Sequence, residues 1–274
     1  MIQCPLCQSS AQARGDHMGR QVLRCSASRC RIEFLYPQPT AEELRELYQA
    51  AYYRPGAPNQ ANTYLNTPPQ VADGLVTSLT ARLGSLRGLR ILDFGAGVGE
   101  FATRLASAGG LVECVEPDPE AQRQLAQRGL RGYPNLDALV AGEPNARFDL
   151  ITAIEVVEHL EDPVAYLQRL ARITRPRGAL FLSTPNFESL RARVMGLRWE
   201  QYQNPTHLFY FTYGSLAGAL RAAGFANVWR LRTRAVYPSH GFARRLLQQP
   251  LQRTGLDGDL LVLAQHDPGS AGPG

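Results

Sequence analysis

The sequence contains no lysine: all 29 basic residues are arginine. That absence excludes chemistry that needs a lysine amine, which covers Schiff-base catalysis, pyridoxal-phosphate enzymes and the P-loop grip on nucleotide phosphates. No uninterrupted apolar run approaches the ~20 residues of a membrane span. The opening MIQCPLCQ also lacks the basic and apolar regions of a signal peptide. The expectation is a cytoplasmic chain without a membrane span. The formal charge of +5 comes from arginines scattered over the whole length, which is the pattern of a solvated surface rather than of a nucleic-acid stripe. With 274 residues, 44% of them apolar, the chain can bury one large core and one small additional unit.

Cysteine is scarce but concentrated. Four of the five fall in the first thirty residues, as Cys4-Pro-Leu-Cys7 and Cys25-Ser-Ala-Ser-Arg-Cys30. Two close pairs across a short hairpin make a four-thiolate zinc cage, and four thiolates leave no open position, so the role is structural. The competing reading, a pair of disulfides, does not suit a reducing cytosol. Cys114, alone in LVECVEPD, reads as core packing.

Glycine punctuates one segment above all, ILDFGAGVGEF, where an apolar strand runs into Gly95, Gly97 and Gly99 and then into a helical stretch. A dinucleotide loop is written G-x-G-x-x-G, its helix N-terminus facing a pyrophosphate. Here the third glycine arrives one residue early and Asp93 stands just before the loop, which suits a cofactor without phosphates. From Leu89 onward RILDF, LVECVEP, FDLITAI, GALFLSTP, ANVWRLRT and DLLVLAQ alternate with helical stretches, as in a doubly wound α/β sheet. The second of them ends at Glu116, where a carboxylate can accept hydrogen bonds from ribose hydroxyls. Upstream, Thr40 and Glu43 form a capping box ahead of a stripe of Leu44, Leu47, Tyr48 and Ala51. The stretch AYYRPGAPNQANTYLNTPPQ follows, and it reads either as a loop that closes over a ligand or as a surface connector.

Taken in order, ILDFGAGVGEF, CVEPDP, FDLITAIEVVEHLEDP, LARITRPRGALFLSTPN and NPTHLFYFTYGSLAGALRAAGF resemble the class I S-adenosylmethionine-dependent methyltransferases, of the small-molecule "EVLEH" type that includes ubiquinone-pathway O-methyltransferases and enzymes of sugar pathways. The resemblance implies a Rossmann-like doubly wound sheet of seven strands behind a small zinc ribbon. It divides the chain into a ribbon (1–38), a helical, tyrosine-rich lid (39–87), a methyltransferase domain (88–265) and a disordered tail (266–274). It also implies that Asp93, Gly95 and Gly97 shape the pocket for the methionine part of the cofactor, that Glu116 grips the ribose, and that Asn135 and Leu136 lie near adenine. The acceptor would be a small molecule, methylated on oxygen, of sugar or aromatic type. The alternative is a zinc-ribbon RNA methyltransferase, and a non-catalytic scaffold is the third reading.

Two segments compete for the chemistry beside the methyl group. If EVVEHLEDP forms a helical turn, Glu155, Glu158 and His159 share one face. They would then serve as a divalent-metal site, for which Mg²⁺ is the candidate, as a general base, or as a structural cluster. Glu155 is nearest the strand tip. His207, in YQNPTHLFYFT, is the second candidate base, among Trp199, Tyr202, Phe209 and Tyr210, which form either a pocket wall or core. The sequence does not indicate an oligomeric state.

Overall fold

The structure, a computed structural model, describes residues 2–17, 19–48, 67–232 and 250–266. The chain begins with strands β1 (Ala11–His17), β2 (Arg20–Cys25) and β3 (Glu33–Tyr36), then helices α1 (Ala41–Tyr48) and α2 (Pro69–Leu83). Strands and helices then alternate: β4 (Arg90–Phe94), α3 (Glu100–Ser107), β5 (Leu111–Val115), α4 (Pro119–Gln127), β6 (Arg131–Tyr133), α5 (Leu136–Gly142), β7 (Phe148–Ile154), α6 (Pro163–Ile173) and β8 (Thr174–Pro185). After α7 (Leu190–Met195) come β9 (Phe209–Tyr210), α8 (Tyr213–Ala222), β10 (Phe225–Leu231) and β11 (Asp259–His266).

Seven strands form one sheet in the order β10-β11-β8-β7-β4-β5-β6. The five central and right-hand members run parallel, and β11 and β10 close the left edge antiparallel. The doubly wound α/β fold read from the sequence is therefore present. The strand order reverses between β4 and β7, so the carboxyl ends of those two strands open the crevice in which such sheets bind ligands. Local signals place the helices that flank it. Asp118 and Asp162 cap α4 and α6 through the amides of Ala121 and Ala165, each followed by a proline at the first helical position. Thr212 and Ser215 cap α8 reciprocally. Thr40 and Glu43 form the expected capping box, at 2.7 and 3.2 Å. α2 falls in the segment read as a lid, and it packs Val71, Leu75 and Leu79 into one cluster with Ile91 of β4 and Phe101 and Leu105 of α3. The lid residues 49–66 and the tail residues 267–274 lie outside the described residues, while His266, expected in the tail, ends β11.

The ribbon is not a separate bead. Its three strands continue into β9, giving a four-stranded antiparallel sheet in the order β1-β2-β3-β9 with Phe34 opposite Phe209 and Glu33 opposite Tyr210. Its apolar residues Leu23, Ile32 and Phe34 belong to the same buried cluster as Leu208, Phe211 and Leu216. The Cys25–Cys30 knuckle presses on α8: a Cβ on Gly214 would lie 2.3 Å from the carbonyl oxygen of Arg29, and the Thr212 hydroxyl donates to the Cys30 carbonyl at 2.7 Å. This packing couples the ribbon to the larger part of the fold. Gly214→Ala should lower stability by about 1–3 kcal/mol, the cost of overpacking against rigid backbone. Urea unfolding should then show one transition, shifted to lower denaturant, by both far-ultraviolet dichroism and tryptophan fluorescence. An unshifted midpoint, or a ribbon that melts on its own, would contradict the shared core.

Candidate active site and cysteine cluster

The glycine turn is built by backbone geometry. Gly95, Gly97 and Gly99 all have positive φ, at 77°, 53° and 84°, a region that side-chain-bearing residues avoid. Two of them are also contact points. A Cβ on Gly95 would lie 2.5 Å from Val156, and one on Gly99 would lie 2.5 Å from Leu125 of α4. The early third glycine thus lets α4 approach the turn. Glu116, 4% exposed, ties the turn down: one carboxylate oxygen accepts from the Gly97 amide at 2.7 Å and the other from Asp118 at 2.9 Å. Each oxygen keeps a lone pair for a further donor. Burial raises the Glu116 pKa, and the two amide bonds oppose that rise.

Asp93, 2% exposed, accepts from the Thr152 hydroxyl at 2.6 Å, and burial pushes its pKa up to about 7. Asn135 and Leu136 follow β6. The Asn135 side-chain oxygen caps α5 through the Ala138 amide at 2.8 Å, and Leu136 is buried in the main core. Cys114 is fully buried, as core packing requires.

The EVVEH segment does not form the continuous helical turn read from the sequence. Glu155 leaves β7 at φ 55°, a left-handed conformation uncommon for a side-chain-bearing residue, and only Val157–His159 close a 3₁₀ turn. Glu155 is thereby split from Glu158. Its carboxyl accepts from the Ser183 hydroxyl at 2.6 Å, and burial together with the charges of Glu158 and Asp259 raises its pKa. Glu158 is 1% exposed; one oxygen accepts from the Thr184 hydroxyl at 2.8 Å, the other has no partner, and burial lifts its pKa to about 8.

The fold brings His207 to this place. Its ring lies 4.6 Å from that of His159, edge to face. His159 Nδ1 faces the Thr206 carbonyl at 2.9 Å, so the proton sits there and Nε2 turns toward Glu158, 3.9 Å away. His207 is 1% exposed, bonds the Gln201 backbone through its ring, and has an Nδ1 without a partner. Burial pushes His159 down to about 4, and burial with the neighbouring His159 pushes His207 well below its usual value, so both rings are neutral. The ligating atoms of Glu158, His159 and His207 all lie within 4.8 Å of one another. The grouping anticipated from the sequence, with Glu155 as third member, is replaced by one with His207. Sequence reading had no signal for the hydroxyls of Ser183 and Thr184 that hold the two glutamates. Trp199, Tyr202, Phe209 and Tyr210 are each 2% exposed and form core.

The four sulfurs of Cys4, Cys7, Cys25 and Cys30 also lie within 4.8 Å of one another, with Cys4–Cys30 at 3.8 Å and Cys7–Cys25 at 3.4 Å. A tetrahedron with ~2.3 Å zinc–sulfur bonds has edges of about 3.8 Å, so the cluster has the dimensions of a closed zinc site. A hydrogen bond from the Cys30 thiol pulls the Cys4 thiol down to about 5, which favours a thiolate there.

A family model described as a methyltransferase domain matches residues 70–229. The ubiquinone biosynthesis O-methyltransferase of Xanthomonas oryzae pv. oryzae is 36% identical over 114 residues, covering 39% of this chain and 47% of that protein. That of Cereibacter sphaeroides is 32% identical over 172 residues, covering 59% and 69%. The chain thus spans about half the length of the first of these relatives. Among solved structures, the 1,6-didemethyltoxoflavin-N1-methyltransferase of Burkholderia thailandensis has a TM-score of 0.56 at 19% identity, covering 94% of this chain and 100% of that one. A S-adenosylmethionine dependent methyltransferase from Mesorhizobium loti scores 0.53 at 20% identity, covering 71% and 100%. At these identities the likeness is one of fold. Among the described residues no helix is long and apolar enough to cross a membrane.

Asp93 supplies a test of this electrostatic picture. Its folded pKa of about 7 lies above the ordinary 3.8, so the native state holds the proton more tightly than the unfolded chain does. Its contribution to stability is complete at low pH and is lost as pH rises from about 4 to about 7, at roughly 1.4 kcal/mol per pH unit across that window. Asp93→Asn should remove that component, so the ligand-free variant gains thermal stability relative to wild type as pH increases. A constant difference between the two melting curves across this range would show that Asp93 titrates normally.

Proposed function

The chain belongs to the methyltransferase-domain family, and from that premise we propose that it transfers the methyl group of S-adenosylmethionine to a hydroxyl of a small organic acceptor of aromatic or sugar type. The observation that carries the reading is the positive-φ glycine turn clamped by Glu116, whose two oxygens each accept from one backbone amide and keep a lone pair for a ribose hydroxyl. The named relatives support transfer to oxygen, and the Burkholderia structure was solved with bound S-adenosylhomocysteine. When bound, the cofactor supplies an electrophilic methyl group on a sulfonium. Asp93, Gly95 and Gly97 form the methionine end of its pocket, and Asn135 with Leu136 the adenine end. Residues 1–38 form the ribbon, whose Cys4, Cys7, Cys25 and Cys30 hold one structural zinc; residues 39–87 form the lid and 88–265 the transferase domain. The protein's task is to place the acceptor oxygen in line behind the methyl group and to exclude water.

Loss of the acceptor proton has two readings. In the first, Glu155, His159 or His207 receives it, although neutral histidines with such low pKa values are weak bases at neutral pH. The second rests on the unpartnered Glu158 oxygen and His207 Nδ1, in a cluster where one ligating atom each of Glu158, His159 and His207 lie within 4.8 Å of one another. Both histidines give one ring nitrogen to a backbone carbonyl and present the other, as metal-ligating imidazoles do. Glu158, His159 and His207 would hold a divalent cation such as Mg²⁺, which would lower the pKa of an acceptor hydroxyl.

Glu116→Ala should weaken S-adenosylhomocysteine binding by about 10–100-fold, because a charged acceptor of two hydroxyl bonds is lost. NAD should not bind either protein. Calorimetry showing equal affinity for wild type and variant would remove the basis of the proposal, and RNA binding that weakens steeply with salt would favour the RNA-methylating alternative. For the proton, His207→Ala and His159→Ala should each lower kcat by about 100-fold on a panel of catechols and sugars if a base acts. If a cation acts, chelation should abolish turnover and Mg²⁺ restore it. Titration with Co²⁺ separates the two metal sites: the cysteine cluster gives intense thiolate charge-transfer bands, and the Glu158 site gives only weak visible bands that Glu158→Gln removes.

A further inference from the structure

The ribbon contributes one buried carboxylate, Glu33, at 1% exposure. One of its oxygens accepts from the guanidinium of Arg24 at 2.6 Å and from that of Arg14 at 3.3 Å; the other accepts from the Tyr202 hydroxyl, which comes from the transferase side 169 residues later. Removing a carboxylate from water is expensive, and an apolar side chain at this place would cost the ribbon less. The place in the fold indicates what the charge holds. The Tyr202 ring packs on Tyr210, centroids 4.2 Å apart, and Tyr210 is the register partner of Glu33 across β3 and β9. The Tyr210 hydroxyl donates to the carbonyl of His207 at 3.2 Å. One residue on, the Leu208 amide donates to the Glu158 carbonyl at 2.9 Å, while the Leu208 carbonyl accepts from the Leu35 amide of the ribbon at 3.1 Å. The peptide that carries His207 is therefore fixed from the ribbon side, and Glu33 is the polar end of that fixture.

We propose that Glu33 is a positioning residue for methyl transfer, holding Tyr202 and Tyr210 so that the His207 imidazole stays against His159 and Glu158. The ribbon is then a working wall of the acceptor site and not only an appendage stapled by its cysteines. The proposal rests on the reading that the Glu158, His159 and His207 cluster faces the acceptor, and its structural content can be tested without an identified acceptor.

The measurement is the cross-relaxation between the imidazole protons of His159 and His207 in the full-length, zinc-loaded protein, whose rings are 4.6 Å apart. Tyr202→Phe removes one hydroxyl and keeps the ring, and it should lose this signal. Glu33→Ala should lose it as well, and Glu33→Gln, which still accepts from Tyr202, should restore it. Arg14→Ala, at the exposed end of the network, should leave it intact. In all four variants the S-adenosylhomocysteine affinity by calorimetry and the zinc content should equal those of wild type. If Glu33→Ala fails to fold, Tyr202→Phe and Glu33→Gln still decide the matter. Retention of the signal in Tyr202→Phe, or its loss in Glu33→Gln together with Tyr202→Phe, would overturn the positioning role. Failure of wild type to bind S-adenosylhomocysteine would instead remove the functional reading and leave the geometry of Glu33 untouched.

Discussion

Position 95 cannot carry a side chain, because Val156 occupies the space where its Cβ would be. That single exclusion brings the turn after β4 into van der Waals contact with the segment after β7, across the reversal in strand order. Both halves of the site follow from it. On one side the turn presents amides and the Glu116 carboxylate; on the other the chain leaves β7 with Glu155 in a left-handed conformation and closes a 3₁₀ turn around Glu158 and His159. A larger residue at 95 would push the turn after β4 away from the segment after β7, whatever the rest of the sheet did.

The distribution of charge is unlike the formal total. The chain carries a net +5, yet Asp93, Glu116 and Glu158, the buried acids around the crevice, bond hydroxyls and backbone amides rather than arginines. Ion pairs of described arginines lie elsewhere, as those of Arg90 with Glu113 and Glu143, Arg175 with Asp149 and Arg230 with Asp257. Burying carboxylates without cations is costly and raises their pKa values, which is what Asp93 and Glu158 show. A cationic ligand bound beside them would relieve that cost. The lack of arginine in this network is then a property of the site, while the lack of lysine is a property of the whole chain.

The sheet was legible because its strands are short apolar runs bounded by turn residues, and because the glycine turn, Glu116 and the capping residues act locally. The cysteine cluster was legible for the same reason: two tight turns place four sulfurs together. What the sequence did not disclose depends on distant contacts or on unusual backbone. The left-handed Glu155 breaks the helical spacing on which Glu155, Glu158 and His159 were grouped, and no propensity marks it. β9 is two residues within the apolar run LFYF, where periodicity is silent, and its partner lies in the ribbon. Once that pairing is known, the meeting of His207 with His159 follows, and Trp199, Tyr202 and Tyr210 become core between the ribbon and the α7 segment instead of a pocket wall.

The pairing of β3 with β9 also sets an order of events. A chain grows toward its C-terminus, so the cysteine pairs are made early, but the fourth strand of their sheet is not made until residues 209 and 210 appear, and the Thr212 hydroxyl that bonds Cys30 lies 182 positions from it. Contacts of such long sequence separation form late and slow the approach to the native state. During synthesis the ribbon presents Phe34 and Leu35 on an open edge, which is a template for association with other chains. If the four cysteines take up zinc as proposed, capture early in synthesis would hold the hairpin in register through that interval.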